Sequence, residues 1–203
     1  MIKDRQDAAE RLAIQLQHHK GENGVVLTIP RGGVPIGVYI AKQLNMPVEV
    51  ILSKKIGHPT NPEFAIGSVS MDSVDVNEKI PVSKEYLEET VENIREELKR
   101  RYKVFMGDKK PADLEGKTVI IVDDGIATGH TLMATIELVK KKKPGKVVVA
   151  VPVAPPSAIE KLQTLVDEVI CLMAPPDFYA VGQFYENFTQ VSDDEVVELL
   201  KQS

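Results

Sequence analysis

The run Val119–Thr131, VIIVDDGIATGHT, constrains the fold of this chain more than any other segment. Val119, Ile120, Ile121 and Val122 form a short continuous apolar run, the pattern of a strand buried on both faces of a parallel sheet. Asp123 and Asp124 then emerge at the carboxyl end of that strand, the edge at which open α/β sheets bind ligands. Gly125 and Gly129 let the chain turn tightly. The following LMATIELVKKKK is amphipathic and ends in lysines suited to a helix C-terminus. A helix N-terminus therefore faces two carboxylates across a short loop. Its free N–H groups, with the hydroxyls of Thr128 and Thr131, suit a phosphate, and the carboxylates suit sugar hydroxyls or water on a metal ion. A ribose 5-phosphate satisfies both. A buried strand followed by an ordinary turn leaves the paired acids unexplained, and a phosphoacceptor domain has no need of Thr128-Gly129-His130-Thr131.

The rest of the chain alternates strand and helix patterns. A helix is expected at about Arg5–His18, a strand at Val25–Ile29, the turn Pro30-Arg31-Gly32-Gly33, a helix around Pro35–Leu44, and a second strand opened by Pro47 and running through Ser53. Phe64–Val76 suits a small hairpin. Ser83 caps a long helix whose apolar positions Leu87, Val91, Ile94, Leu98, Tyr102 and Phe105 keep helical spacing. On that helix Glu96 with Arg100 and Glu97 with Arg101 are i,i+4 pairs, and Lys140–Lys143 reads as a solvated helix end. Lys146–Val151, Ser157–Leu165 and Asp167–Leu172 complete the order as strand, helix, strand. The fold class is α/β, a mostly parallel central sheet flanked by helices with right-handed crossovers.

Two further segments carry charge at strand ends. In Pro30-Arg31-Gly32-Gly33 the adjacent glycines expose N–H groups and Arg31 offers a planar cation for phosphate oxygens. On local pattern alone a plain turn with a solvated arginine reads equally well. The dinucleotide fingerprint is absent, since RGGVPIG lacks G-x-G-x-x-G, and no G-x-x-x-x-G-K-[ST] occurs. In Ser53-Lys54-Lys55-Ile56-Gly57-His58, two lysines leave the second strand, where a cation is well placed for a phosphate.

The segment Val119–Thr131 resembles the signature of type I phosphoribosyltransferases, which use 5-phosphoribosyl 1-diphosphate with Mg²⁺. The resemblance extends over residues 5 to 199 and implies transfer of the 5-phosphoribosyl group to a nucleobase-like acceptor, with release of diphosphate. It implies that Asp123, Asp124, Gly125, Ala127, Thr128, Gly129, His130 and Thr131 hold the ribose and its 5-phosphate. Arg31, Gly32, Gly33 and Lys55 would hold the diphosphate, Lys55 being favoured over Lys54. Catalysis would rest on Asp123, Asp124, Lys55 and Arg31, and the two acids would meet Mg²⁺ through water rather than directly. The family also implies one domain over 1–203, with a core at about 20–172, a mobile loop and hairpin at about 56–84, and a C-terminal hood at about 173–203. Five of the ten aromatic residues, Phe178, Tyr179, Phe184, Tyr185 and Phe188, fall in that hood; Tyr179 is the choice for the acceptor, against packing of a cap onto the sheet.

Departures from better-known relatives narrow the acceptor. In 6-oxopurine enzymes the residue before the Thr-Gly of the signature is an aspartate near purine N7; here it is Ala127. The segments PEFAIGSV and PVAPPSA resemble a less characterised bacterial and archaeal subgroup. The chain has 203 residues, 43% hydrophobic and 27% charged, with net charge −5, which disfavours extended nucleic-acid binding. Its start is unlike a signal peptide, no apolar run reaches membrane-span length, and a lone Cys171 forms no internal disulfide, so a cytoplasmic location is expected; a homodimer is a separate expectation. The rival is a regulator that senses the phosphoribosyl ligand without turnover. A sensor would tend to add a basic face or a DNA-binding module, and neither is evident.

Overall fold

A computed structural model describes residues 1–203. Five parallel strands form the central sheet in the order β2-β1-β6-β7-β8: β1 (Gly24–Thr28), β2 (Val48–Val50), β6 (Thr118–Val122), β7 (Lys146–Val153) and β8 (Glu168–Met173). Side chains alternate across a strand, so a sheet covered on both faces needs apolar residues at successive positions. In β1, Val26 packs with Ile120 and Val122 of β6 in the core on one face, while Val25 and Leu27 pack with Val119 and Ile121 in the core on the other. The expected parallel α/β architecture is present.

The first face is covered by α1 (Arg5–Gln15), α2 (Gly33–Leu44), α3 (Lys84–Met106) and α6 (Asp193–Lys201), and the second by α4 (His130–Lys140) and α5 (Pro156–Leu165). Ser83 caps α3 as expected, accepting from the Tyr86 N–H. The first helix ends at Gln15, and Gln17–His19 form a separate 3₁₀ turn rather than its last residues.

The expected second strand is two elements. β2 stops at Val50, and β3 (Ser53–His58) turns away to join β4 (Asn61–Ser70) and β5 (Val74–Val76) in an antiparallel sheet of order β3-β4-β5. The expected hairpin thus has a third strand. Two charge readings change with it. Glu97 accepts from Lys54 Nζ at 2.8 Å rather than pairing with Arg101, because β3 brings a lysine onto the helix face, and Glu96 forms no ion pair with Arg100. The lysines ending α4 are engaged, since Lys141 Nζ donates to the Val74 carbonyl at 2.8 Å and Lys142 pairs with Asp72. They hold the small sheet against the helix.

The chain after β8 returns over the top of the sheet. Ile2 pairs with Tyr185, the Ile2 N–H donating to Phe184 O at 2.9 Å and Glu186 N–H to Ile2 O at 2.8 Å. Helix α6 was not anticipated, although Ser192-Asp193-Asp194-Glu195 before an apolar pair has the form of a helix start, and Ser192 caps it through the Glu195 N–H.

Candidate active site

The site is built where the strand order reverses. From β1 the chain steps outward to β2, whereas β6 leads to β7 and β8 on the other side, so the ends of β1 and β6 flank the crevice of an open α/β sheet. Thr28 stands opposite Val122, and the Ile29 N–H donates to Val122 O at 2.9 Å, which carries the pairing one residue into the loops. The turn Pro30–Gly33 and the acid pair therefore emerge side by side.

Their contact requires glycine. A Cβ on Gly32 would stand 1.9 Å from Asp124 Oδ2, and one on Gly33 would stand 2.7 Å from the Val122 carbonyl oxygen. The expectation that both glycines expose their N–H groups holds less well, because the Gly33 N–H donates to Ile29 O at 3.1 Å within the turn. The helix after it begins at Gly33 rather than near Pro35. The peptide between Pro30 and Arg31 is cis. Arg31 is exposed, with Nη1 3.7 Å from Asp193 Oδ1 at the start of α6.

Asp123 and Asp124 differ in environment. The Asp123 carboxylate accepts from the Asp124 N–H at 2.8 Å, and burial, followed by the neighbouring charge of Asp124, pushes its carboxyl well above the ordinary range. Asp124 is neutralised by Arg5, whose Nη2 and Nε lie 2.8 and 3.1 Å from Oδ2. Arg5 Nη1 also donates to Thr189 O at 2.6 Å, and its guanidinium lies 4.3 Å from the Phe188 ring centroid. The Tyr185 hydroxyl donates to the Asp124 carbonyl at 2.7 Å. Sequence reasoning missed Arg5, whose partner lies 119 residues away with no local signal joining them.

The loop after the acids forms a cavity of about 180 Å³ lined by Asp123, Gly125, Ile126, Ala127, Thr128, Gly129, Thr131 and Leu132. Gly129 precedes α4 with φ +81°, a left-handed conformation that glycine adopts readily. The Met133 N–H donates to Gly129 O at 2.8 Å, and the N–H groups before it in the first turn have no intrahelical acceptor. His130 is the first residue of the helix rather than part of the loop. Beyond this cavity a cleft of about 980 Å³ opens between the N-terminal end of α4 and the antiparallel sheet, and Thr128, His130 and Thr131 line it together with Lys54, Lys55 and Ser68. Lys55 pairs with Glu63 at 3.3 Å, leaving both groups largely exposed. Tyr179 is 87% exposed and lines neither space, whereas Tyr185 and Phe184 pack inward.

The profile of the phosphoribosyl transferase domain matches residues 1–189. The chain belongs to the phosphoribosyl transferase family. A Mycobacterium tuberculosis protein that carries this name provisionally is 40% identical over 205 residues, 98% of this chain and 46% of that protein, so the chain spans less than half the length of that relative. The crystal structure of TT1426 from Thermus thermophilus is similar over 99% of this chain and 98% of that one, at TM-score 0.86 and 37% identity. A purine phosphoribosyltransferase from Pyrococcus horikoshii shares the fold over 93% of this chain and 92% of its own, at TM-score 0.52 and 19% identity. The five-stranded parallel sheet and its flanking helices are thus the architecture of this family, and no helix is long and apolar enough to cross a membrane.

Proposed function

We propose that the chain transfers the 5-phosphoribosyl group from 5-phosphoribosyl 1-diphosphate to a nucleobase-like acceptor and releases diphosphate. The observation that carries this reading is the adjacency of three features at one sheet edge: the acids ending β6, the glycine turn ending β1, and the threonine-lined N-terminus of α4. Acids beside a phosphate cradle match a ribose 5-phosphate, and a cationic turn next to them matches the leaving group.

In this reading Asp123 and Asp124 hold the ribose hydroxyls, while Gly125, Ala127, Thr128, Gly129, His130 and Thr131 surround the 5-phosphate. Arg31, Gly32, Gly33 and Lys55 receive the diphosphate. Displacement at the anomeric carbon leaves positive charge on the ribose ring, which the carboxylates offset, and the cations stabilise the departing diphosphate. The acid pair also fits Mg²⁺ held through water. Its oxygens are hard donors, and the burial that makes the Asp123 charge costly is the cost a nearby divalent ion offsets. Magnesium, when bound, neutralises phosphate charge. The same proposal takes residues 1–203 as one transferase unit, with about 56–84 as the loop and hairpin region beside the ligand and about 173–203 as the hood, Tyr179 being its choice for the acceptor, working as a cytoplasmic homodimer.

The test is a panel of nucleobases and related acceptors offered with the donor and Mg²⁺, scored by diphosphate release. Acceptor-dependent release supports the proposal. Tight donor binding with no turnover on any acceptor would replace it with the sensor.

A further inference from the structure

At the end of the parallel sheet opposite the acid pair, the 3₁₀ turn Gln17–His19 meets the first residue of the edge strand β8. His18 Nε2 lies 2.9 and 3.2 Å from the two Glu168 carboxylate oxygens, and His19 Nε2 lies 2.5 Å from Glu168 Oε2. The three donor atoms stand within 4.8 Å of one another. Strand β8 runs from Glu168 to Met173, which at ~3.3 Å per residue separates the cluster from the ligand-binding edge by roughly 16 Å. Nothing in the phosphoribosyl reading uses it.

His19 is the informative member. It is 1% exposed, and each ring nitrogen faces a different carboxylate. Nε2 meets Glu168, while Glu22 Oε1 stands 3.1 Å from Nδ1 but out of line, so that buried nitrogen makes no hydrogen bond. Glu22 is itself held in place, accepting from Thr118 Oγ1 at 2.7 Å and facing Lys146 Nζ at 3.6 Å. A histidine that binds a metal through one nitrogen commonly presents the other N–H to a carboxylate, which sets the tautomer and the ring orientation. Glu22 is the carboxylate that faces that second nitrogen.

We propose that His18, His19 and Glu168 form a site for a divalent transition metal of the zinc class, with water as the fourth ligand and Glu22 orienting His19. Two imidazoles and a carboxylate are a donor set that zinc takes readily, whereas Mg²⁺ prefers an all-oxygen shell. Donor atoms around a tetrahedral zinc stand about 3.3 Å apart. The observed contacts open to that spacing by rotation of His18 and Glu168, whose side chains are 54% and 31% exposed. The bound ion would pin the turn after α1 to the edge strand.

The full chain, prepared without a histidine tag and stripped with a chelator, is titrated with Zn²⁺ and separately with Co²⁺. The expected result is one ion per chain, a rise in Tm with Zn²⁺, and the visible absorption of tetrahedral Co²⁺. His18→Gln and Glu168→Gln each weaken Zn²⁺ binding at least tenfold, and Glu22→Gln weakens it on the order of 10–100-fold. His18 lies at the surface, so H18Q tests the site even if His19 variants fail to fold. Asp123→Asn and Asp124→Asn bind Zn²⁺ as the parent does, which separates this site from the acid pair. Unchanged Zn²⁺ affinity in both H18Q and E168Q, or binding lost only in the Asp123 and Asp124 variants, overturns the proposal and leaves a metal-free hydrogen-bonded cluster.

Discussion

Arg5 places Nη2 and Nε on a single oxygen of Asp124, at 2.8 and 3.1 Å, and so ties the first helix to the acid pair. Because the same guanidinium holds Thr189 O and lies over Phe188, one side chain joins the N-terminus, the C-terminal segment and the end of β6. Arg5→Ala leaves a largely buried carboxylate without its partner. The expected loss is about 3 kcal/mol of stability, the lower end for breaking such a pair, measured by urea denaturation, with weaker donor binding alongside. Arg5→Lys keeps the charge but not the planar contact and falls between. Parent-like stability in Arg5→Ala would show that water replaces the guanidinium without cost.

Asp123 sets a pH dependence of the ligand-free chain. Its carboxyl is pushed well above the ordinary value by burial and then by Asp124. Unfolded, an aspartate ionises near pH ~3.9. Between that value and the higher folded one, the folded state binds more protons than the unfolded state, so stability falls as pH rises through the window. The contribution is complete below the unfolded pKa and lost above the folded one. Asp123→Asn cannot ionise; it is expected to be more stable than the parent at pH above the folded value, while donor binding or turnover drops. Denaturation curves at a series of pH values check this, and an unchanged pH slope in the variant would reassign the effect.

The two phosphate subsites should separate by ligand. Arg31→Ala is expected to weaken diphosphate binding by about 1.5–3 kcal/mol, the range for a hydrogen bond to a charged group, with a smaller effect on ribose 5-phosphate. Thr128→Val with Thr131→Val is expected to weaken every ligand that carries the 5-phosphate. Calorimetry with diphosphate, ribose 5-phosphate and the donor distinguishes the cases. Equal losses on both small ligands in the Arg31 variant would detach Pro30–Gly33 from the leaving group.

Ala127 bears on the acceptor. It lines the cavity after the acid pair with a methyl group, and so departs from the aspartate near N7 expected of 6-oxopurine enzymes. Hypoxanthine, guanine and xanthine are therefore expected to be poor acceptors, with rates far below that of the true substrate in the diphosphate-release assay. Efficient turnover of any of them would point to another carboxylate reaching N7, with Glu186 in the C-terminal segment the first to substitute.

What could be read from the sequence was the chemistry carried by contiguous residues. Strand β6, the acids at its end, the glycine-bounded loop and the helix that follows are specified by neighbours within a few positions. Burial on both faces, chain reversal and the polarity of a helix end are local properties, and the alternation of such units implied a parallel sheet. The partners were decided by the tertiary structure. Pro47–Ser53 read as one strand, yet β2 follows β1 while β3 pairs with β4, and only the available edges choose between them. Glu97 meets Lys54 rather than Arg101 because β3 packs against α3. Asp124 is neutralised from residue 5, and His18 and His19 meet a carboxylate some 150 positions away. Charges and ligand atoms act over a few ångströms whatever their separation along the chain, so their pairing is settled only when the sheet closes.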